Sequence, residues 1–238
     1  MTIYNPHGSS SIPIVKQLPG LVGWYDANDP VGNGTQFSNN ANVTEWYDKS
    51  GLGNNVTQAL STPPTYVLNI QNGLPVMSFA GTTNSYFTSN ILTSNLTHTI
   101  TLVSCATTLT NTGIAVYNGN SGSGGYGYYL EDNLRSILYG GKAQKNDGDD
   151  SGAWQIITMT WNATTSVFYL NGTSQSLTSG TTAPATPTGN FQIGANGTGG
   201  NTWIGYIGEV IVRNIALTLS QYQAELVYLS GKWGIAAS

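Results

Sequence analysis

Apolar positions in the second half of the chain come in short runs separated by turn residues. The segments 154–161, 166–173, 190–195 and 206–217 are rich in Ile, Val, Thr, Phe, Tyr and Trp, and Gly, Asn or Ser bounds most of them. Runs of this length and make-up predict β-strands. Asn171-Gly172 follows Val167–Leu170 directly. An Asn-Gly pair supplies the two positive φ angles of a type I′ turn, so a hairpin is expected there. The period then changes from two to 3.6. Tyr222, Leu226 and Leu229 recur at helical spacing after Thr218, a suitable N-cap, and Gln221 completes a capping box. Gly231 is the expected left-handed end of that helix.

The first half repeats the short-strand pattern. Leu21–Tyr25, Val43–Tyr47 and Thr99–Ala106 read as strands, with Asp26–Pro30 and Asp48–Gly51 as turns. Within Thr99–Ala106, Ile100, Leu102 and Ser104 share one face, and Thr101, Val103 and Cys105 share the other. Ile114–Tyr117 is the expected partner of that strand. Pro63–Val67 and Leu74–Phe79 carry proline near their entry, so both are expected as edge-type or short strands. A glycine-rich loop, Asn118–Gly125, leads into Tyr126–Leu130, and Arg135–Tyr139 follows. Many short strands with turns between them predict an all-β fold, a two-sheet antiparallel sandwich with one short C-terminal helix. A lone amphipathic helix must bury its face on the sheets, so strands and helix belong together. The expected division is an N-terminal arm or linker, residues 1–17, and one domain over 18–238.

The ordered motifs identify a resemblance. They are Trp154-x-x-Ile157-Thr158, Tyr169-Leu170-Asn171-Gly172-Thr173, Phe191–Ala195, Gly208–Asn214 with Ala216-Leu217-Thr218, and Tyr228-Leu229-x-x-Lys232-Trp233-Gly234. Gly23–Asp26, Trp46–Gly51 and Pro75–Gly81 precede them in the same order. The set resembles the laminin-G-like branch of the concanavalin A-like lectin/glucanase superfamily, from about Leu18 to Ile235. The resemblance implies a jelly-roll sandwich. It does not single out a function, because one fold hosts many sites.

Composition narrows the classes. Charged residues are 8 % of the chain, against about 25 % in average soluble proteins. Net charge is −4 and the seven Lys and Arg are scattered, which argues against a phosphate-tracking surface and so against nucleic-acid binding. Nothing approaches the roughly 20 apolar residues of a membrane helix. The opening, Met1–His7, has neither a basic region nor an apolar stretch of the secretory type. Neutral polar residues in place of charges suit a long-lived outer surface. A protein displayed on a virus or phage particle, or an extracellular one, is therefore expected, with capsid or tail proteins or a host or cell-surface glycan as partners.

Candidate chemistry is sparse. The glucanase members of the resembling superfamily carry Glu-x-Asp-x-x-Glu on one strand, and that motif is absent. None of Glu45, Glu131, Glu209 and Glu225 has an acidic residue two positions on, so no catalytic residue is assigned and the chain is read as a non-enzyme. Cys105 is the single cysteine. It reads as a core residue, since His98, its nearest histidine, starts a strand and is expected at the surface. Calcium wants six to eight oxygens, and Asp147, Asp149 and Asp150 around Gly148 could supply them, with Asp26 and Asp29 as a weaker alternative. No cofactor is required on this reading. For a glycan, Tyr126 and Tyr128 on one face beside the glycine loop, and Trp203, are the candidate stacking platform. The competing reading of these rings is core packing.

Overall fold

The structure, a computed structural model, describes residues 12–59, 61–82, 85–91, 97–108, 113–119, 125–131, 134–139, 152–162, 165–176, 189–196 and 200–238. Its first elements are α1 (Ile14–Gln17), β1 (Leu21–Asp26), β2 (Ala41–Asn42), β3 (Glu45–Trp46), β4 (Val56–Gln58), β5 (Thr65–Gln71) and β6 (Leu74–Ala80). Next come β7 (Phe87–Ser89), β8 (Thr97–Ala106), β9 (Gly113–Gly119), β10 (Gly125–Glu131), β11 (Leu134–Tyr139) and β12 (Gln155–Asn162). The last are β13 (Thr165–Leu170), β14 (Thr173–Gln175), β15 (Phe191–Ile193), β16 (Ile204–Arg213) and α2 (Leu219–Trp233).

Among the described residues these strands form two antiparallel sheets, a jelly-roll sandwich with a C-terminal helix. The first sheet runs β14-β13-β12-β8-β16-β6-β5-β2. Strand β16 lies at its centre. One side pairs with β8; the other pairs with β6 along Ile204–Ile207 and with β1 along Glu209–Arg213. The second sheet runs β11-β10-β9-β15-β7-β4-β3.

The expected hairpin at Asn171-Gly172 is present, with φ of 48° and 95° at the two turn residues. A second one, at Asn72-Gly73 with φ of 51° and 73°, joins β5 to β6. Two pairings differ from expectation. Ile114–Tyr117 lies in β9 of the second sheet, while β8 pairs with β12 and β16 in the first. The chain crosses between layers after β8 instead of turning back beside it. Strand β6 is interior despite Pro75: only Met77–Ala80 pairs with β16, so the missing proline N–H falls outside that ladder.

Two apolar clusters hold the layers. Between the sheets lie Trp46, Tyr66, Phe79, Phe87, Trp161, Phe168, Phe191 and Trp203. On the far side of the first sheet, Tyr222, Leu226, Leu229 and Trp233 of α2 pack on Trp24, Val76, Val103 and Ile211. Full burial of one large apolar side chain contributes about 1.5–3 kcal/mol. Trp154 stacks on Trp233, ring centres 6.2 Å apart. The helix starts at Thr218 with the expected capping box. It runs past Gly231 and ends at Gly234, whose φ is 64°. Lys232 and Trp233 hold it in register by bonding to Glu209.

The described end of the expected arm is docked. Val15 of α1 is fully buried in the helix-side cluster. The Arg213 guanidinium donates to the carbonyls of Val15, Leu18 and Pro19. The boundary expected at residue 17 therefore falls inside packed structure.

Candidate functional site

Helix α2 covers one outer face of the sandwich. The other side of the sandwich belongs to the second sheet, and its register aligns a row across six strands that is accessible at its Glu45, Thr57 and Thr88 end and buried at Gln192, Tyr117 and Gly127. Glu45 is opposite Thr57, Thr57 opposite Thr88, Thr88 opposite Gln192, Gln192 opposite Tyr117, and Tyr117 opposite Gly127. Directly paired residues share a face, and their chain neighbours take the other. Those neighbours include Trp46, Val56, Phe87, Phe191, Ile193, Val116, Tyr126 and Tyr128, all in the core. A Cβ at Gly127 would collide with the Val116 carbonyl oxygen and stand 2.8 Å from the Tyr117 ring, so glycine lets β9 lie close against β10.

A pocket of about 340 Å³ opens near the β4 and β7 end of this row. Thr57, Thr88 and Ser89 line it from the strands, Asn90 and Asn190 from the strand ends, and Gly53, Asn54 and Asn55 from a loop. Asn90 and Asn190 meet because Phe191 is opposite Ser89, so the two chains leave the sheet side by side.

The loop is held by Asp48. Its carboxylate accepts from the backbone N–H groups of Trp24, Ser50 and Asn54 and from Ser50 Oγ. Asn54 donates its amide to Val22 O at 2.8 Å, and its own carbonyl accepts from Tyr25 Oη at 2.6 Å. Asn55 accepts from Asp48 N and donates to Glu45 Oε1 at 2.7 Å. Gly51 and Gly53 stand at φ of 97° and 74°, where a side chain would be strained. Between them Leu52 is 61 % exposed. Asp48 of the Trp46–Gly51 motif thus braces the Leu52–Asn55 segment that follows it, whose exposed residue is apolar.

The expected platform is not at the surface. Tyr126, Tyr128 and Trp203 are 1 %, 0 % and 1 % exposed. Tyr126 stacks on His98 with ring centres 3.7 Å apart, and Tyr128 meets Trp203 edge-on at 6.1 Å. A stacking platform needs an open ring face, so core packing describes these three rings. His98 is fully buried rather than at the surface. Cys105 is buried, its thiol donating to Gly152 O at 3.0 Å. Asp147, Asp149 and Asp150 lie outside the described residues. At Asp26 and Asp29 the Lys49 ammonium stands between the carboxylates, 2.9 and 3.0 Å away, where a cation would sit.

Asp26 and Glu209 do converge, but on a lysine. Lys232 Nζ lies 2.7 Å from each. Glu209 also accepts from the indole N–H groups of Trp24 and Trp233 and from Tyr228 Oη. Burial opposes ionisation of Asp26, but Lys232 and Lys49 outweigh it and hold the carboxyl below its ordinary range. Burial raises Glu209, Asp26 adds to this, and Lys232 offsets part. Burial would lower Lys232, yet Glu209 and Asp26 prevail and raise it. Both carboxyls are buried, at 3 % and 1 % exposure, and already bonded, so this cluster braces the helix and offers no face to a substrate.

Sequence reasoning missed the pocket. Its signals were Asn54-Asn55 after the Trp46–Gly51 motif and asparagines flanking two short strands. Nothing local joins Asn90 to Asn190.

Comparison with known proteins bears on the fold. The Trypanosoma rangeli sialidase superposes with a TM-score of 0.62 at 17 % identity, over 90 % of this chain and 33 % of that one. The chain thus spans a third of the sialidase. Domain 4 of AbnA, an extracellular arabinanase from Geobacillus stearothermophilus, solved with arabinotriose, gives 0.61 at 15 % identity, over 87 % of this chain and 98 % of that domain. The receptor binding domain of botulinum neurotoxin type G gives 0.59 at 12 %, over 88 % and 51 %. At these identities the likeness shows the fold alone. No curated protein matches the sequence. The family model of the concanavalin A-like lectin/glucanases superfamily, laminin-G type, matches residues 79–221, more than half of the chain, and the chain belongs to that superfamily.

Proposed function

We propose that this chain is a non-enzymatic carbohydrate-recognition module, with the glycan seated in the pocket between the Gly53–Asn55 loop and the ends of β7 and β15. The pocket carries this reading. Its lining, among the described residues, consists of amides, hydroxyls and glycine. Asn side chains both donate and accept, and so do Thr and Ser, which matches adjacent sugar hydroxyls. Leu52, next in sequence to the lining residue Gly53, is exposed and apolar, and the proposal assigns it the C–H face of a longer glycan at the pocket's margin. A volume of about 340 Å³ is at the lower end of small-ligand sites, roughly 300–1,000 Å³. Domain 4 of AbnA, a similar fold of similar size solved with arabinotriose, supports the reading.

A glycan array followed by calorimetry tests it. The Asn90→Ala, Asn190→Ala double variant should weaken binding about tenfold for two lost hydrogen bonds. Unchanged affinity, with the fold intact by circular dichroism, would remove the pocket from the proposal. Release of reducing ends from a polysaccharide panel would replace it with a hydrolase or lyase.

We also propose display on an outer surface, extracellular or on a phage or virus particle beside capsid or tail proteins. The support is the 8 % charged composition. A particle protein without ligand is the second reading, favoured by the same composition and by an array on which nothing binds. Immunogold labelling of particles tests the location. Calcium at Asp147, Asp149 and Asp150 belongs to the proposal as an accessory: glycan binding lost on chelation supports it, and binding indifferent to chelation discards it.

A further inference from the structure

The charges behind the pocket wall limit which glycan it can hold; this step rests on the carbohydrate reading above. Asn54 and Asn55 form that wall, and each is bonded to an acidic residue. Asn54 N donates to the Asp48 carboxylate, and Asn55 Nδ2 donates to Glu45 Oε1 at 2.7 Å. Hydrogen bonding toward Glu45 and the Glu45 charge raise the Tyr47 hydroxyl above its ordinary range, in keeping with a carboxylate close by. Two carboxylates therefore stand directly behind lining residues, Asp48 against the backbone of Asn54 and Glu45 against the side chain of Asn55.

Nothing in the described lining balances them, since it holds no Lys, Arg or His. Three of the cations described elsewhere are committed, and Lys16 lies in α1, packed with the helix-side cluster. Lys49 is paired with Asp26 and Asp29, Lys232 with Asp26 and Glu209, and Arg213 with Glu225. The Lys49 pairs turn that ammonium toward β1 and its following turn. An acidic sugar entering the pocket would bring a charge against like charges and give up its own hydration without a paired cation.

We infer that the pocket selects uncharged sugars and rejects those bearing a carboxylate or sulfate. The selectivity comes from the carboxylates of Glu45 and Asp48 and is independent of which neutral sugar fits best.

The test uses matched pairs with the full chain: lactose against its sialylated and sulfated forms, and arabinotriose against a galacturonate trimer. The neutral member of a pair should bind on the order of tenfold more tightly. Added salt should narrow the gap by screening the repulsion. Glu45→Gln keeps an oxygen to accept from Asn55 but removes the charge, so it should improve binding of the acidic member and leave the neutral one within about twofold. An acidic probe that binds as tightly as its neutral partner, or that responds to neither salt nor Glu45→Gln, overturns the inference and leaves the carbohydrate reading standing. Failure of every probe and of a broad array overturns that reading, and the selectivity with it.

Discussion

Glu209 is the residue on which the helix layer depends. It accepts from Trp24, Trp233, Tyr228 and Lys232, so both carboxylate oxygens are filled. Glu209→Ala would leave a buried ammonium beside Asp26 and two indole N–H groups without their acceptor. The expected cost is about 3–5 kcal/mol, the range for breaking a buried pair from one side, read as a lower urea midpoint. Glycines nearby give opposite predictions. A Cβ at Gly208 would stand 2.6 Å from the Trp233 ring, so Gly208→Ala should destabilise by about 1–3 kcal/mol through overpacking. A Cβ at Gly231 meets nothing within 4 Å, and the residue is helical, so Gly231→Ala should stabilise by about 0.5–1 kcal/mol. The sequence exposed part of this scale. Trp24, Trp46, Trp154, Trp161 and Trp233 fall in expected elements or motifs and so read as core; four are buried and Trp154 is half-buried. Tyr126 and Tyr128 escaped, because a two-residue period says which side chains share a face and not which face turns inward.

Elements were more legible than their partners. The capping residues Thr218 and Gln221 mark the start of α2 in the sequence, and the structure forms both reciprocal bonds. Thr218→Ala should therefore cost about 1 kcal/mol, with loss of helical circular dichroism on heating preceding loss of the strand signal. The far end of α2 was misread because Gly231 has the right chemistry for a C-cap, and tertiary bonds from Lys232 and Trp233 carry the helix one turn further. Strand β9 was misread for a related reason. Its seven residues alternate as well in one sheet as in the other, and the crossover that decides between them leaves no periodic trace. The pocket was illegible on the same ground, since β7 and β15 bring Asn90 and Asn190 together only after the sheet has formed.

At the scale of the molecule, helix, first sheet and second sheet form three layers, and tyrosines sit at the joints between them. Tyr25 and Tyr66 bond to the carbonyls of Asn54 and Ala27, which ties β1 and β5 to neighbouring turns. Tyr222 stacks on Tyr169 where α2 meets β13, ring centres 4.1 Å apart. Burial raises the hydroxyls of Tyr25, Tyr66 and Tyr222 well above the ordinary 10.0 and pushes that of Tyr117 to about 12. A raised folded pKa means that the unfolded chain loses its proton first. The stability linked to these groups is whole below pH 10.0 and is lost as pH rises through the folded values. Lys232, also raised, adds to the same alkaline fall, because its proton leaves the unfolded chain near 10.5, before it leaves the folded one. Tyrosinate absorbance should therefore rise in two stages, a gradual one for accessible hydroxyls and a cooperative one coincident with loss of tryptophan near-ultraviolet circular dichroism. Lys232→Met should shift the second stage without changing the first. If every tyrosine titrates gradually while the tryptophan signal persists, these hydroxyls are reached by water without opening the layers, and the joints described here do not hold the sandwich closed.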